Sequence, residues 1–281
     1  MYRFLKDSFK SLQYFPILWI VVAVAATIHQ SIKSFSIVLI YRDMDGDWLN
    51  RRNKFIICSP DLNVESLSEI KERVDDLWLY DYKISDGDTV IDIGAGIGDD
   101  LIYFSSLVGE KGHVVAIEAH PITFRCLQKT IKYNELTNVT SVQLALSDTN
   151  KDLVISSRDN HLENTLAAVD SHEDAGAFTI PAKTLDSFLI EQKIEHINFV
   201  KMNIEGMELD VLLAGQDLFK GDITMVISCH DFIVDRGDEP ESFKTFDGVH
   251  SLLSSSNFKI TVRAEHKSPE VLYYIYATNI D

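Results

Sequence analysis

The stretch that most constrains this chain is Thr89–Asp100, which reads TVIDIGAGIGDD. A short apolar run, broken only by Asp92, leads into a glycine-rich loop and then a helical pattern. Its three glycines stand at alternate positions: Gly94, Gly96 and Gly98. A glycine is needed where the chain turns sharply and its backbone approaches a ligand, because a Cβ would collide there. The order strand, glycine loop, helix is typical of a nucleotide-binding α/β fold; a plain glycine turn is the alternative.

The spacing of these glycines distinguishes between cofactors. A dinucleotide-binding loop would place its third glycine at position 99, but Asp99 stands there. Asp99 and Asp100 would also repel a pyrophosphate at the start of the following helix. The pattern Asp-x-Gly-x-Gly-x-Gly instead resembles class I S-adenosylmethionine-dependent methyltransferases. We therefore expect S-adenosyl-L-methionine as the cofactor, and an NAD-linked enzyme is the less favoured alternative.

Charge is distributed unevenly along the 281 residues, whose net charge is −17. Residues 1–57 contain eight Lys/Arg and four Asp/Glu, which leaves −21 for the remainder. Such an acidic body predicts no nucleic-acid partner, because neutralisation of phosphates supplies most of that affinity. The three cysteines, Cys58, Cys126 and Cys229, show no metal-binding spacing, so we predict no metal site and expect reduced thiols in the cytoplasm.

Residues 11–32 form an apolar run without Asp, Glu, Lys or Arg. Three alternatives remain open: a membrane span, a helix lying in the membrane interface, or a helix packed on the domain or on a second copy. Arg3, Lys6 and Lys10 favour a cytoplasmic N-terminus. A simple span would then separate the catalytic domain from cytosolic S-adenosylmethionine. The expected localisation is cytoplasmic, with membrane association through residues 11–32 left open.

From Asp88 onward strand and helix patterns alternate, which predicts a doubly wound, mostly parallel, Rossmann-like sheet. We predict seven strands, an antiparallel closing strand and an N-terminal apolar helix. Residues 1–57 are predicted to hold that helix and an edge hairpin, and residues 58–281 the main domain with its core at 84–281. The predicted strands are Phe35–Tyr41, Lys54–Cys58, Thr89–Ile93, Gly112–Ile117, Val139–Ala145, Leu153–Ser156, Ile197–Met202, Thr224–Ser228, Phe258–Arg263 and Val271–Ala277. The predicted helices are 64–78 with Asn63 as its cap, Asp99–Val108, Pro121–Tyr133, Thr184–Glu191, Glu208–Leu218 and Ser242–Ser254, and residues 161–176 are predicted to be a loop or lid.

In an open α/β sheet the ligand lies beyond the carboxyl ends of the strands. Glu118 ends the second strand of the predicted sheet, where a carboxylate can accept hydrogen bonds from both ribose hydroxyls of an adenosyl group. Asp148, beside Ser147, follows the third strand and is a candidate acceptor for the adenine amino group, with a simple turn acid as the alternative. The predicted cofactor-binding residues are Asp92, Gly94, Ala95, Gly96, Gly98, Glu118, Ser147 and Asp148.

Further motifs make the resemblance more specific, and the chain resembles the FkbM-type methyltransferase family over about residues 84–230. Besides the glycine loop, the matching segments are Gly112–Glu118 with Pro121, Asn134 with Asn138-Val139, Ala145–Asp148, Thr184–Ser187, Val200–Glu208, Leu212 and Gly215. This resemblance implies S-adenosylmethionine-dependent O-methylation of hydroxyls on sugars, glycolipids or polyketide-type natural products. Three positions depart from the family pattern: Gly96, where Asn is common, Ala119, where Pro is usual, and Asn203, where Asp is usual.

The candidate catalytic residues are Asn203, Glu205 and His230. Asn203 can hydrogen-bond to an acceptor but cannot serve as a base, whereas His230, after the fifth parallel strand, is a titratable candidate for that role. The predicted function is O-methyl transfer to a hydroxylated small molecule, a glycan or a lipid-linked acceptor. The alternative is a non-catalytic adenosyl-binding or scaffold protein on a degenerate methyltransferase fold. The sequence does not determine the oligomeric state.

Overall fold

The structure is a computed structural model, and it describes residues 18–34, 36–53, 55–155, 177–237 and 241–279. In chain order the helices and strands are α1 (Leu18–Ser34), β1 (Val38–Arg42), β2 (Trp48–Arg52), β3 (Phe55–Ser59), α2 (Leu67–Leu77), β4 (Thr89–Ile93), α3 (Asp99–Val108), β5 (His113–Glu118), α4 (Pro121–Tyr133), β6 (Val139–Gln143), β7 (Ala145–Leu146), β8 (Leu153–Ile155), β9 (Phe178–Ile180), β10 (Ala182–Lys183), α5 (Leu185–Gln192), β11 (Phe199–Met202), α6 (Glu208–Leu213), β12 (Thr224–Ser228), α7 (Asp231–Asp235), α8 (Phe246–Ser255), β13 (Phe258–Thr261) and β14 (Tyr274–Asn279).

The central sheet has seven strands in the order β13-β14-β12-β11-β4-β5-β6. Strands β4, β5, β6, β11 and β12 pair in parallel, and β14 runs antiparallel to both of its neighbours, β12 and β13. This confirms the predicted mostly parallel sheet with an antiparallel closing strand. Strands β4 and β11 are neighbours although they lie more than a hundred residues apart, so the chain reverses its winding direction between them. That switch point is where open α/β sheets bind ligands.

Both faces of the inner strands are buried, which explains why β4, β5, β11 and β12 are almost continuously apolar. On one face, residues such as Val90 and Phe199 pack against helices α2, α3 and α4. On the other face, residues such as Ile91 and Val200 pack against helices α5, α6 and α8. The two helical layers fix the carboxyl ends of β4, β5 and β11 at one edge of the molecule.

An N-terminal layer, made of α1 and the antiparallel sheet β1-β2-β3, lies beside this core. Two strands around a polar turn were predicted here, but a third strand, β2, occupies part of that turn. The turn is shorter than predicted because Asp43 closes it, its Oδ1 accepting from the amides of Asp45 and Asp47 at 2.9 and 3.0 Å. The layer is held on α4 by Asn134, whose side chain exchanges hydrogen bonds with the backbone of Ile56 at 2.9 and 2.6 Å.

Several other helices and strands begin or end at residues different from the predicted ones. Helix α2 begins later than predicted because Ser66 and Glu69 form a capping box, and Asn63 instead bonds the amide of Glu65. The predicted strand 139–145 ends at Gln143, and β7 pairs with β10 outside the main sheet. The predicted helix 208–218 ends at Leu213, and a 3₁₀ turn, Gln216–Lys220, follows it. Two later elements also begin beyond the predicted residues, α8 at Phe246 and β14 at Tyr274.

The predicted loop or lid at 161–176 and the first part of the apolar run, 11–17, lie outside the described residues. So do Phe35, Lys54 and Ser156, each at one end of a predicted strand. Within the described part, the run forms α1. None of the described helices combines the length and apolar character that crossing a membrane requires.

Candidate active site

A cavity of about 690 Å³ opens at the carboxyl ends of β4, β5 and β11. Its size is within the range of small-molecule binding sites, roughly 300–1,000 Å³. The main domain contributes the glycine loop, Glu118, residues 144–146 and the turn Asn203–Glu205. The N-terminal layer and α2 contribute the opposite wall, including Gln30, Lys33, Asn63, Glu65 and Arg73. Carboxylates outnumber cationic side chains along this lining by seven to three.

The glycine loop follows β4, and its first two glycines, Gly94 and Gly96, both have positive φ but differ in the space around them. Gly94 has φ of +76°, and a Cβ added to it would stand 2.0 Å from the carbonyl oxygen of Asn203. Gly96 also has positive φ, +58°, but nothing lies within 4 Å of where its Cβ would be. The loop therefore packs tightly against the turn after β11 and leaves open space above Gly96 at the cavity.

Glu118 is fixed at the cavity wall by two backbone amides. Its Oε2 accepts from Gly96 at 2.9 Å and its Oε1 from His120 at 2.8 Å. Burial raises the pKa of Glu118 to about 7, although both amide hydrogen bonds act in the opposite direction. Each carboxylate oxygen keeps a further lone pair, so Glu118 can still accept hydrogen bonds from a ligand.

A buried ion pair lies beneath the glycine loop, between β4 and β11. Lys201 Nζ lies 2.7 Å from Asp92 Oδ1 and donates to the carbonyl of Gly94 at 3.2 Å. Asp92 is fully buried, and burial raises its pKa to about 6 against the influence of Lys201. Burial lowers the pKa of Lys201, but Asp92 and Asp100 outweigh it and hold that pKa above its ordinary value. Lys201 thus ties β11 to β4 as a cation.

Arg73 on α2 is a site residue that the sequence did not reveal. Its guanidinium lies 2.6 Å from Asp99 Oδ2 and 2.7 Å from Asp100 Oδ1, and it also pairs with Glu65 at 3.1 Å. The two acids that begin α3 are therefore neutralised by an arginine 26 and 27 residues earlier. Nothing in the local pattern around Arg73 indicates this pairing, because it depends on how α2 packs on α3.

Ser147 and Asp148 are not among the residues that line the cavity. Ser147 is buried, and its hydroxyl donates to the carbonyl of Thr149 at 2.9 Å. Asp148 is exposed. The three residues before them, Leu144–Leu146, form an apolar stretch of the cavity wall in their place.

The three candidate catalytic residues are placed differently. Asn203 and Glu205 line the cavity in the turn between β11 and α6, and Glu205 has the left-handed φ of +55°, uncommon for a residue with a side chain. His230 is 6% exposed and is not among the lining residues. Its Nδ1 lies 2.9 Å from Glu208 Oε1. The structure therefore does not bring His230 to the cavity wall, where the sequence placed it.

Glu208 connects His230 to the turn that carries Glu205. This fully buried carboxylate accepts from the amide of Gly206 at 3.1 Å and from the hydroxyl of Thr245 at 2.8 Å. Burial raises its pKa, but the hydrogen bonds from His230 and Gly206 outweigh burial and hold the pKa of Glu208 below its ordinary value. The Glu208–His230 pair was not foreseen, because the residues follow different strands.

The strand order, the glycine loop and a cavity at the switch point define a class I S-adenosylmethionine-dependent methyltransferase. A family model described as the methyltransferase FkbM domain matches residues 92–260. The chain belongs to this family, and S-adenosyl-L-methionine is its methyl donor.

Individual relatives are more distant. The chain is 25% identical over 186 residues to a probable cobalt-precorrin-6B C(15)-methyltransferase (decarboxylating) from Sulfurisphaera tokodaii, a match that covers 64% of this chain and 94% of that protein. It is similar in structure to a methyltransferase FkbM from Methylobacillus flagellatus, with a TM-score of 0.51 and 18% identity. That match covers 76% of this chain and 51% of the other, so this chain spans about half the length of that protein. A fibrillarin from Aeropyrum pernix with bound S-adenosyl-L-methionine matches with a TM-score of 0.46 and 13% identity, over 86% of this chain and 100% of that one.

Proposed function

We propose that this protein transfers a methyl group from S-adenosylmethionine to a hydroxyl oxygen of a carbohydrate, glycolipid or natural product. The observation that carries the proposal is a single cavity that joins the glycine loop and Glu118 to the turn bearing Asn203 and Glu205. One part of this lining suits the donor, and the turn after β11 presents a carboxylate and an amide to an acceptor.

The donor half fits an adenosyl group with a positively charged sulfonium. The open space above Gly96 admits close approach to the backbone, and the fixed Glu118 carboxylate can accept from ribose hydroxyls. The apolar wall at Leu144–Leu146 suits the adenine ring. The excess of carboxylates favours a cationic ligand.

The acceptor half needs a group that aligns a hydroxyl and removes its proton. The donor supplies an electrophilic methyl group on a cationic sulfur, and the protein must hold the attacking oxygen in line with it. We assign the base role to Glu205 and the orienting role to the Asn203 amide, since both line the cavity. His230 takes a positioning role instead, because it holds Glu208, which in turn bonds the amide next to Glu205.

The acceptor is proposed not to be a nucleic acid. The chain carries a net charge of −17, and the cavity lining also has more carboxylates than cationic side chains. A polyphosphate backbone would be repelled, because association with nucleic acids depends on neutralising phosphates.

The test uses the full chain with methyl-labelled S-adenosylmethionine and a panel of hydroxylated carbohydrates, glycolipids and natural products. We expect label on oxygen, located by mass spectrometry and NMR. Glu205→Gln should lower kcat by about 10²–10⁴-fold with donor affinity unchanged, because it removes the base and leaves the donor wall intact. Glu195→Gln, an exposed acid away from this cavity, is the matched control.

Label on carbon or nitrogen, or on RNA, would contradict the proposal. Donor binding without transfer to any acceptor in the panel would favour the non-catalytic alternative. In that case Asn203→Asp is informative, since activity gained by this variant would show that the amide had replaced a required carboxylate.

A further inference from the structure

Helix α1 is apolar on both its inward and its outward side, because Val22 and Ala23 pack in a small core while further large apolar residues stay exposed. Its inward face carries hydroxyls that satisfy the edge strand β1. Thr27 Oγ1 accepts from the amide of Ile40 at 2.9 Å, and Ser31 Oγ accepts from the amide of Val38 at 3.1 Å. Both hydroxyls also lie within hydrogen-bond distance of the carbonyls of the same two residues. Helix α1 is therefore fixed on β1 by these hydroxyls together with the packing of Val22 and Ala23.

The outward face of α1 is apolar as well. Its exposed large side chains are Leu18, Ile20, Val21, Val24, Ile28 and Ile32. Four of them recur at spacings of three and four residues, and their exposed fractions run from 53% at Val24 to 69% at Ile32. A helix at a protein–water boundary normally turns its apolar stripe inward, so the medium that meets this face is expected to be apolar.

The charge of the flanking sequence indicates which apolar surroundings the outward face of α1 meets. The residues before α1 include Arg3, Lys6 and Lys10 against the single acid Asp7, while the chain beyond residue 57 carries −21. An anionic membrane surface would attract the basic end and repel the acidic body, which orients the molecule with α1 towards the lipid. One side of α1 packs on the protein and the other is exposed and apolar along its length, which fits a helix that lies in the interface.

We propose that α1 docks this protein on an anionic membrane surface through the face that contains Val21, Val24, Ile28 and Ile32. Gln30 and Lys33, near the end of the same helix, line the active-site cavity. The docked helix would therefore also form part of the cavity wall, with buried Gln30 on the side of α1 away from the lipid. The docking is independent of which atom the enzyme methylates.

The test is flotation of the full chain with vesicles of phosphatidylcholine, with or without phosphatidylglycerol. We expect about tenfold stronger binding to the vesicles that contain phosphatidylglycerol, and a decrease with salt. The double variant Val24→Glu/Ile28→Glu should lower that binding about tenfold or more, because it places two carboxylates on the apolar face. Ile190→Glu/Leu213→Glu is the matched control, since it makes the same change at exposed apolar positions on α5 and α6 and should float like the wild type.

Calorimetric titration with S-adenosylmethionine shows that each variant is folded, because the substituted side chains are exposed and outside the donor wall. Wild-type protein that stays unbound with both vesicle types, or binds both equally, would overturn the proposal. So would a Val24→Glu/Ile28→Glu variant that floats unchanged. A wild-type dimer in sedimentation equilibrium that this variant dissociates, with no vesicle binding, would assign the face to a second copy instead.

Discussion

Glu118 is the single residue whose ionisation should control donor binding. Its pKa is about 7 because of burial, so it titrates within the physiological range. A ribose hydroxyl donates most strongly to the ionised carboxylate. Donor affinity should therefore reach its plateau well above pH 7 and be lost as the pH falls through about 7, since the proton competes with the ligand.

This gives a calorimetric prediction. The Kd of S-adenosylmethionine should be about tenfold higher near pH 6 than on its alkaline plateau, as expected for one competing proton. Glu118→Gln should weaken binding on the plateau and remove the pH dependence. Glu110→Gln, an exposed acid on the same domain, should keep the wild-type profile. A pH profile that Glu118→Gln leaves unchanged would show that another group controls the affinity.

Gly94 tests the contact between the glycine loop and the turn after β11. Gly94→Ala should destabilise the protein by about 3 kcal/mol or more, because a left-handed backbone and a clash with Asn203 act together. Gly87→Ala is the matched control, since Gly87 has φ of +95° but nothing within 4 Å of the added Cβ, and its cost should be about 1 kcal/mol. Urea unfolding measures both values, and equal losses would argue against the close approach.

At the scale of elements, Arg73 joins α2 to the start of α3. Removing the guanidinium leaves Asp99 and Asp100 close together near the buried Asp92. Helix starts favour acids, but two partly desolvated carboxylates that keep only Lys201, 3.6 Å from Asp100 Oδ2, repel each other. Helix α2 lies outside the matched family domain, so this contact gives the N-terminal part of the chain a direct influence on the donor loop.

Arg73→Met should lower the free energy of unfolding by about 2 kcal/mol, which is less than for a fully buried pair because Arg73 remains partly exposed. Arg236→Met, which breaks an ion pair with Glu270 in which both side chains are largely exposed, should cost less than about 1 kcal/mol. The double variant Arg73→Met/Asp99→Asn should recover part of the loss, since it removes one of the repelling charges. No recovery in urea unfolding would mean that packing, not charge, gives Arg73 its effect.

At the scale of the whole molecule, the contacts between the N-terminal layer and the main domain determine whether the two unfold together. The two are joined where Asn134 at the end of α4 bonds the backbone of Ile56, and where the hydroxyl of Thr130 accepts from the amide of Cys58 at 3.1 Å. Side chains of α4 thereby take the place of a neighbouring strand along β3. Together with ion pairs from Arg125 and Lys129 of α4 to Asp47, these bonds connect the N-terminal layer to the rest of the cavity wall.

Asn134→Ala should reduce the hydrogen-exchange protection of β3 about tenfold, because two backbone groups of Ile56 lose their partner. Protection of β4 should not change, since it lies at the centre of the sheet. Lys132→Ala, an exposed side chain at the same helix end, serves as the control. Equal loss of protection in β3 and β4 would instead show that the two layers open only together.

Local sequence chemistry by itself determined the core of the fold and the donor loop. The bounds of β4, α3, α4 and β12 agree with the predicted ones because each depends on neighbouring residues. An apolar run followed by glycine defines β4, and Pro121 suits the first turn of α4. Glu118 was also found from its position at a strand end. The placement of these elements around a switch point follows from the alternation of strands and helices.

Only the tertiary structure decided which side chains meet. Arg73 with Asp99, Lys201 with Asp92 and Glu208 with His230 are pairs from separate elements, so no local period predicts them. The same holds for β2, whose polar residues are buried only because the N-terminal layer folds around them. His230 is also placed by a long-range contact. Its position after β12 could be predicted from the sequence, but its hydrogen bond to Glu208, away from the cavity wall, could not. Each of these contacts depends on how distant segments pack together, which the neighbouring sequence does not determine.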